Sequence, residues 1–378
     1  MNTTLGQIIQ KYGARHNHFD IMRLIAALVV IFSHAFPLAH GKILGKQYEP
    51  LMILSRGQIT LGGVAVFVFF VVSGFLITAS YDKAPQLKSF CQKRLLRLYP
   101  GLIVAVALTV FVLGSLLSNL GWRDYLQQPE TYSYLVNNLF FLRYQDSLPG
   151  VFANTPVPGF INGSLWTLKY EILAYGAVAV LGILGWLKGR FLAILFILNS
   201  AVNLLIQAQL TPDFIDWQSG FPFILKSFLE LFPYFLAGAW IYLVKEKLPF
   251  NSTFALVALF AVCLALPIPG LLKPMLSIAG AYGVIYLAYY PGFKVINLHK
   301  LGDLSYGVYI YGWPLQQLVS LILFPEINWA LNFLISLPLV LGAAWVSWHG
   351  IEKRALRFKG LTLFPRRRTS QSIESLGR

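Results

Sequence analysis

Charge is what this sequence has least of. Only 12% of its 378 residues are charged, against about 25% in an ordinary soluble domain. A large core cannot account for the deficit, because a water-facing surface would still need charge. A soluble globular fold is thereby excluded. Cysteine is almost absent too. Cys91 and Cys263 are far apart, with no second thiol near either, which excludes a disulfide framework and any cysteine-based metal site. No metal site is expected. No cleavable signal peptide is expected from this sequence. Its first apolar run starts near Ile21, after a polar start, and is followed by no convincing small-residue cleavage site. It has no internal repeat and no separate soluble segment, so residues 1–378 are expected to form a single transmembrane domain. The net charge of +15 suits a nucleic-acid partner in sign alone. The basic residues lie in short connectors and at the C-terminus, where they orient a membrane protein, so no nucleic acid is expected.

What the chain does have is apolar sequence, 57% of it. Runs of roughly 18 residues or more recur, each long enough to cross about 30 Å of hydrocarbon. They predict an all-α integral membrane protein, a bundle of about ten transmembrane helices. The expected spans are 21–39, 59–80, 100–118, 164–184, 190–207, 224–244, 254–271, 274–290, 301–323 and 329–349. Lys and Arg are concentrated in alternate connectors. They include Lys11 and Arg15 in the N-terminal arm, then Lys83, Lys88, Lys93, Arg94 and Arg97, later Lys188 with Arg190, Lys245 with Lys247, and Lys294 with Lys300. Lys42, Lys46 and Arg56 break the pattern, but the balance predicts both termini in the cytoplasm. The end, 351–378, carries Arg366, Arg367 and Arg368 and reads as a basic cytoplasmic tail. The third connector, 119–163, is the only long one. It is rich in Pro and Gly and is expected to face outward, where a loop of this length is usually functional or disordered.

Ionisable side chains inside spans are costly and therefore candidates for function. Arg23 and His34 share the first span, eleven positions apart. That separation is about 16 Å of rise, and it returns to within roughly 20° of the same helix face. Arg23 is expected near the cytoplasmic surface and His34 near the outer one. Each also has a plain structural reading: Arg23 as a snorkelling anchor, His34 as an interhelical hydrogen-bond partner. Histidine is otherwise the natural general base. Glu171, in the fourth span, is expected at the depth of His34. A carboxylate there could fix the tautomer of the imidazole, or pair structurally with Lys169. Arg94 and Arg97, at i and i+3, share a helix face. They suit a phosphate clamp together with Arg23, although positive-inside topology alone would also put arginine there. Ser73-Gly74 fits close helix packing, and Ser73 has no adjacent base. The stretch 302–314, with Ser305, Tyr306, Tyr309, Tyr311 and Pro314, predicts a broken, polar helix facing a cavity. A proton-coupled secondary transporter, or a flippase or export component for polysaccharide, is the alternative such residues leave open. Against it, the sequence has no inverted repeat and no matching pair of interrupted helices.

From Phe19 to about Lys359 the chain resembles the membrane-bound acyltransferase family 3, bacterial O-acyltransferases of surface and secreted glycans. Phe19-Asp20-Ile21-Met22-Arg23, with His34 after ten further residues, is similar to the family's Arg-x10-His signature. The stretches 69–76, 94–100 and 162–168 followed by Glu171 are similar to its later motifs, in order and at matching spacing. The resemblance implies acyl transfer, most often of acetyl, from acyl-CoA (acetyl-CoA as co-substrate) to a glycan or lipid-linked glycan hydroxyl at the bacterial inner membrane. It implies Arg23, Arg94 and Arg97 as acyl-CoA-binding residues and His34 with Glu171 as the catalytic pair. Ser73, Gly74, Trp166, Tyr170, Ser305 and Tyr309 are implied to line the site, and the third connector to meet the glycan. Two positions depart from the pattern: Gly312 stands where many members carry histidine, and Lys353 and Arg354 follow Glu352 where many have proline.

Overall fold

In the computed structural model, residues 3–13, 16–207, 210, 220–293 and 302–360 are described. Arg15, Lys294, Lys300 and the arginine run 366–368, all part of the charge count, lie outside the described residues. Described residues form fifteen helices, numbered here α1–α15. A short α1 (Leu5–Tyr12) precedes the long α2 (Phe19–His40), then α3 (Lys42–Tyr48), α4 (Pro50–Leu54) and α5 (Leu61–Lys83). Next come α6 (Leu87–Leu117), α7 (Trp122–Gln127), α8 (Pro129–Phe140) and α9 (Trp166–Ile183). They are followed by α10 (Gly189–Gln207), α11 (Gly220–Leu243), α12 (Ser252–Ala265) and α13 (272–289). The last two are α14 (Ser305–Leu323) and α15 (Trp329–Lys359). An isolated antiparallel bridge, Thr4 to Pro249, is the one β-type pairing among the described residues.

Seven of these helices are long and apolar enough to cross a membrane: α2, α5, α6, α9, α10, α11 and α15. Ten helices occupy the ten predicted positions, but the other three fall short of that standard. α12 has only 14 residues, α13 carries Lys273, Pro274 and three tyrosines within 272–289, and α14 carries the buried amides Gln316 and Gln317. α15 continues to Lys359, past position 351 where the tail was expected to begin. Glu352 is buried there, accepting a 2.9 Å hydrogen bond from Ser347, so its charge does not end the helix.

The closest packing is between α5 and α11. A Cβ on Gly74 would run into the carbonyl of Phe235, and one on Gly238 into that of Val71. Small residues let two backbones touch where lipid supplies no hydrophobic drive. Neither carbonyl can yield as a side chain would. Gly74→Val is therefore expected to cost about 1–3 kcal/mol or more. Gly176→Val is the control, since among the described residues nothing outside its own stretch of helix lies within 4 Å of a Cβ there. Size-exclusion profiles of the two solubilised variants measure the difference, and a monodisperse G74V at wild-type yield would contradict the packing.

α14 is continuous, not broken as predicted. Pro314 has no N–H for the carbonyl of Ile310, and Asn162 Nδ2 donates to that carbonyl instead, at 2.9 Å. A helix whose freed carbonyl is satisfied from outside need not unwind. Farther along, Gln316 donates to the Ile31 carbonyl at 2.8 Å, Ser320 to that of Leu38 at 2.8 Å, and Gln317 to those of Val157 and Phe160. These bonds fasten α14 to α2 and to the third connector.

That connector is packed structure. Tyr125 and Tyr134 are fully buried, and Tyr125 donates to the carbonyl of Val110 on α6 at 2.9 Å. Gln145 ties the connector internally, its Oε1 accepting from Ser133 and Asn137, both at 2.9 Å. Tyr144 donates to the Asn162 carbonyl at 2.5 Å. Burial pushes the Tyr144 phenol well above its ordinary pKa, so it stays a donor.

Candidate functional site

Two cavities lie inside the bundle and share two walls, Val66 and Tyr309. The first, about 320 Å3, is lined by Arg23 from α2, Ser73 from α5, Lys93, Arg94 and Arg97 from α6, Glu171 and Tyr175 from α9, Asp303 and Ser305 at the start of α14, and Lys359 from α15. The three arginines expected to cluster do so. Spacing at i and i+3 aims Arg94 and Arg97 the same way, and packing brings Arg23 alongside.

The organising group is a residue to which the sequence assigned no role, Asp303. Its Oδ2 accepts from Arg23 Nη2 at 2.8 Å and from Arg97 Nη2 at 2.5 Å. Its other oxygen accepts from Ser305 Oγ at 2.7 Å. Arg23 also donates to Asp20 at 2.6 Å, and Glu352 stands 4.0 Å from Arg97. A carboxylate next to a polar run, in a chain with three arginines near spans, was the available signal, since charges at that depth need counter-charges. Arg94 stands apart from this clamp. It donates to Ser80 Oγ at 3.1 Å, and its Nε is buried without a hydrogen-bond partner.

The second cavity, about 600 Å3, holds His34, with Lys42, Lys46, Glu49, Glu230 and Lys273 among its lining. The imidazole packs edge-on to the Trp313 indole, ring centroids 4.7 Å apart, and its buried Nδ1 has no hydrogen-bond partner. Trp313 reaches it because position 163 is glycine: a Cβ there would lie 2.5 Å from the indole ring. The indole Nε1 donates to the Phe160 carbonyl at 3.2 Å. From the third connector, Phe160 and Gly163 line this cavity. Glu49, also unassigned from sequence, is buried here and accepts from Ser33 Oγ at 3.1 Å and from the N–H groups of Leu61 and Met52 at 2.6 and 2.9 Å.

The expected pairing of His34 with Glu171 is not formed. Glu171 faces the arginine cavity and accepts from Ser73 Oγ at 3.3 Å and from the Tyr175 phenol. Depth counted from helix ends says nothing about azimuth. Five positions past Trp166, which lines the histidine cavity, α9 has turned by about 140°. Of the other expected lining residues, Ser305 lines the arginine cavity, and Tyr309 lines both while its phenol meets Thr167 Oγ1 at 2.6 Å. Gly74 lines neither, because it is spent on the α11 contact. Tyr170 also lines neither; it is buried with its ring 5.8 Å from that of Trp166. Gly312 points at Ile31 of α2, so a histidine at this position would meet the core, not the cavity.

The acyltransferase domain family matches residues 16–349. An O-acetyl transferase of Shigella phage Sf6 is 28% identical over 344 residues, 90% of this chain and 96% of its own length. Nodulation protein 10 of Rhizobium leguminosarum bv. viciae is 27% identical over 375 residues, 94% of this chain and 97% of its own. The putative membrane-bound transacylase BcsY of Komagataeibacter xylinus is 23% identical over 334 residues, 82% and 80% of the two chains. No solved structure matches. A cationic cavity meets a histidine-bearing one inside an apolar helical bundle, and the family match spans most of that bundle, so the chain belongs to the membrane-bound acyltransferase family 3 and is a multi-pass membrane O-acyltransferase.

Proposed function

We propose that the enzyme moves an acetyl group from acetyl-coenzyme A to a hydroxyl of a cell-surface or secreted glycan, at the bacterial cytoplasmic membrane with both termini inside. The observation that carries this reading is the shared wall of the two cavities at Val66 and Tyr309. Arg23 and His34 lie on opposite sides of that wall, about 16 Å apart along α2, a distance comparable to an extended pantetheine arm. Coenzyme A phosphates occupy the arginine cavity, and the thioester reaches toward His34. The acceptor oxygen attacks the thioester carbon, the C–O bond forms and the C–S bond breaks. His34 takes the hydroxyl proton and returns it to the departing thiolate.

Glu171 belongs to the donor side in this scheme. Glu171→Gln is expected to raise KM for acetyl-CoA by roughly tenfold or less, without moving the pH profile of kcat. A displaced profile would instead restore the carboxylate–imidazole pairing. The overall reading is tested with membranes containing the enzyme and a co-expressed surface glycan, supplied with acetyl-labelled coenzyme A. Covalent label on the glycan is expected, and unlabelled glycan with label accumulating across the membrane would replace the enzyme by a transporter.

A further inference from the structure

The histidine cavity carries charges that proton transfer at His34 does not use. Lys42 and Lys46 of α3 and Lys273 of α13 line it, together with Glu49 and Glu230. Among the described residues, none of these lysines forms an ion pair. Glu49 turns its oxygens to Ser33 and to the N–H groups of Met52 and Leu61, so it holds helix ends and not an ammonium group. Glu230, on α11, is in no ion pair either. The Lys42 ammonium lies 3.8 Å from the centre of the Phe160 ring. A ring face attracts a cation without neutralising it.

Topology does not explain these lysines. Lys42 and Lys46 fall in the first connector and Lys273 in the seventh. Both connectors are expected to face outward, where the positive-inside rule asks for no cation. Snorkelling is the other plain explanation, and it fails on direction. Ile43 and Leu44 of α3, with Ile53 and Leu54 of α4, are exposed and supply an apolar outer side. Lys42 and Lys46, four positions apart on one helix face where like charges repel, line the cavity instead. Both are exposed, so they stand where the cavity opens. Lys273 reaches the same cavity from far along the chain. Tyr234 of α11 donates to its carbonyl at 3.2 Å, and the Tyr234 ring stacks on Phe67, itself a wall residue. A cleft with such a rim concentrates ligands of opposite sign. The rim is also close to the chemistry: α2 ends six positions past His34, about 9 Å on, and Lys42 follows directly after Gly41.

We infer that Lys42, Lys46 and Lys273 form an anion-binding rim for the acceptor, which makes the acceptor a glycan with a carboxylate or phosphate close to the acylated hydroxyl, not a neutral one. The inference rests on the reading above, in which His34 serves the acceptor hydroxyl. Each ammonium group donates to the oxygens of that anion, and Glu230 remains to accept from sugar hydroxyls. The anion belongs either to an acidic sugar or to the phosphate joining a glycan to a carrier lipid. It is held before and during transfer alike, so the rim acts on KM for the glycan, not on kcat.

The test uses the full-length chain in phosphatidylcholine nanodiscs at fixed ionic strength, with saturating acetyl-labelled coenzyme A. The acceptor is the glycan labelled in the membrane experiment above. It is offered in native form, with its carboxyl groups chemically reduced to alcohols, and cut from any lipid phosphate. At least one neutralised form is expected to have kcat/KM lower by more than roughly tenfold. Loss on carboxyl reduction identifies an acidic sugar, and loss on cutting identifies the lipid phosphate. In Lys42→Ala/Lys46→Ala the difference should fall to about threefold or less, with KM for acetyl-CoA unchanged. A difference that persists in this variant overturns the lysine assignment, and so does an equal rise in both KM values, which marks a structural role. Equal rates for the native and both neutralised glycans in wild type overturn the anionic acceptor while leaving acyl transfer intact. If no glycan is labelled at all, the enzyme reading falls and the rim falls with it. The wild-type comparison needs no variant, so a poorly folding mutant does not shield the proposal.

Discussion

His34→Ala is expected to abolish measurable acyl transfer while leaving the protein in the membrane at wild-type level. General-base catalysis contributes typically about 10^2- to 10^4-fold, and among the described residues no other histidine lines either cavity. The fold should tolerate the loss, because among the described residues the buried Nδ1 of the ring has no hydrogen-bond partner. What disappears besides the base is an edge-on contact with Trp313, worth about 1 kcal/mol. Glycan O-acetyl content by mass spectrometry, normalised to enzyme abundance, measures the effect. His34→Gln retains shape and some hydrogen-bonding capacity but cannot cycle a proton, so it should be equally inactive. Activity within a few-fold of wild type in either variant would remove His34 from the chemistry.

Asp303→Ala is the second large effect, and here stability and function are lost together. One carboxylate joins Arg23 of α2 and Arg97 of α6 at the entrance to α14. The side chains are 21%, 18% and 17% exposed for Arg23, Arg97 and Asp303. Breaking a buried pair by removing one member costs about 3–5 kcal/mol, because the remaining charge is stranded. Here Arg23 keeps Asp20 and Arg97 keeps Glu352 at 4.0 Å, so the two guanidinium groups lose their shared counter-charge but not every partner, which together with partial exposure moves the cost toward the lower end. The solubilised full chain should melt several degrees lower, and its affinity for coenzyme A should fall because the clamp is no longer held in place. Asp303→Asn should behave in the same direction, retaining volume but not charge. Combining it with Arg23→Gln should recover part of the loss, the signature of coupled residues in one network. A wild-type melting temperature in D303A would mean that the three helices are held by apolar packing alone.

Legibility from sequence followed the range of the interactions. Helix positions were readable because hydrophobicity and the 3.6-residue period are local properties. Even so, α12 is shorter than its apolar run suggested, and α14 stays continuous through Pro314 because Asn162, 148 positions from Ile310, supplies the missing donor. The arginine cluster was partly readable, since Arg94 and Arg97 share a face by spacing. Its counter-ion was not, because Asp303 lies 280 positions from Arg23 and 206 from Arg97. Gly74 fitted helix packing from sequence, and the site-lining role that the resemblance implied fell away once its neighbour, the Phe235 carbonyl, was known.

Arg23 and His34 on one helix, eleven positions apart, are a property of the sequence alone. Any α-helix through those positions must separate them by about 16 Å on nearly the same face. That an acidic and a basic residue at equal depth belong together is not such a property. Depth follows from counting along a single helix, whereas azimuth depends on how each helix is rotated against its neighbours. Tertiary packing set that rotation, with Glu171 of α9 accepting from Ser73 of α5 and His34 of α2 packed on Trp313 of α14. It turned Glu171 toward the arginines and left His34 to the other cavity.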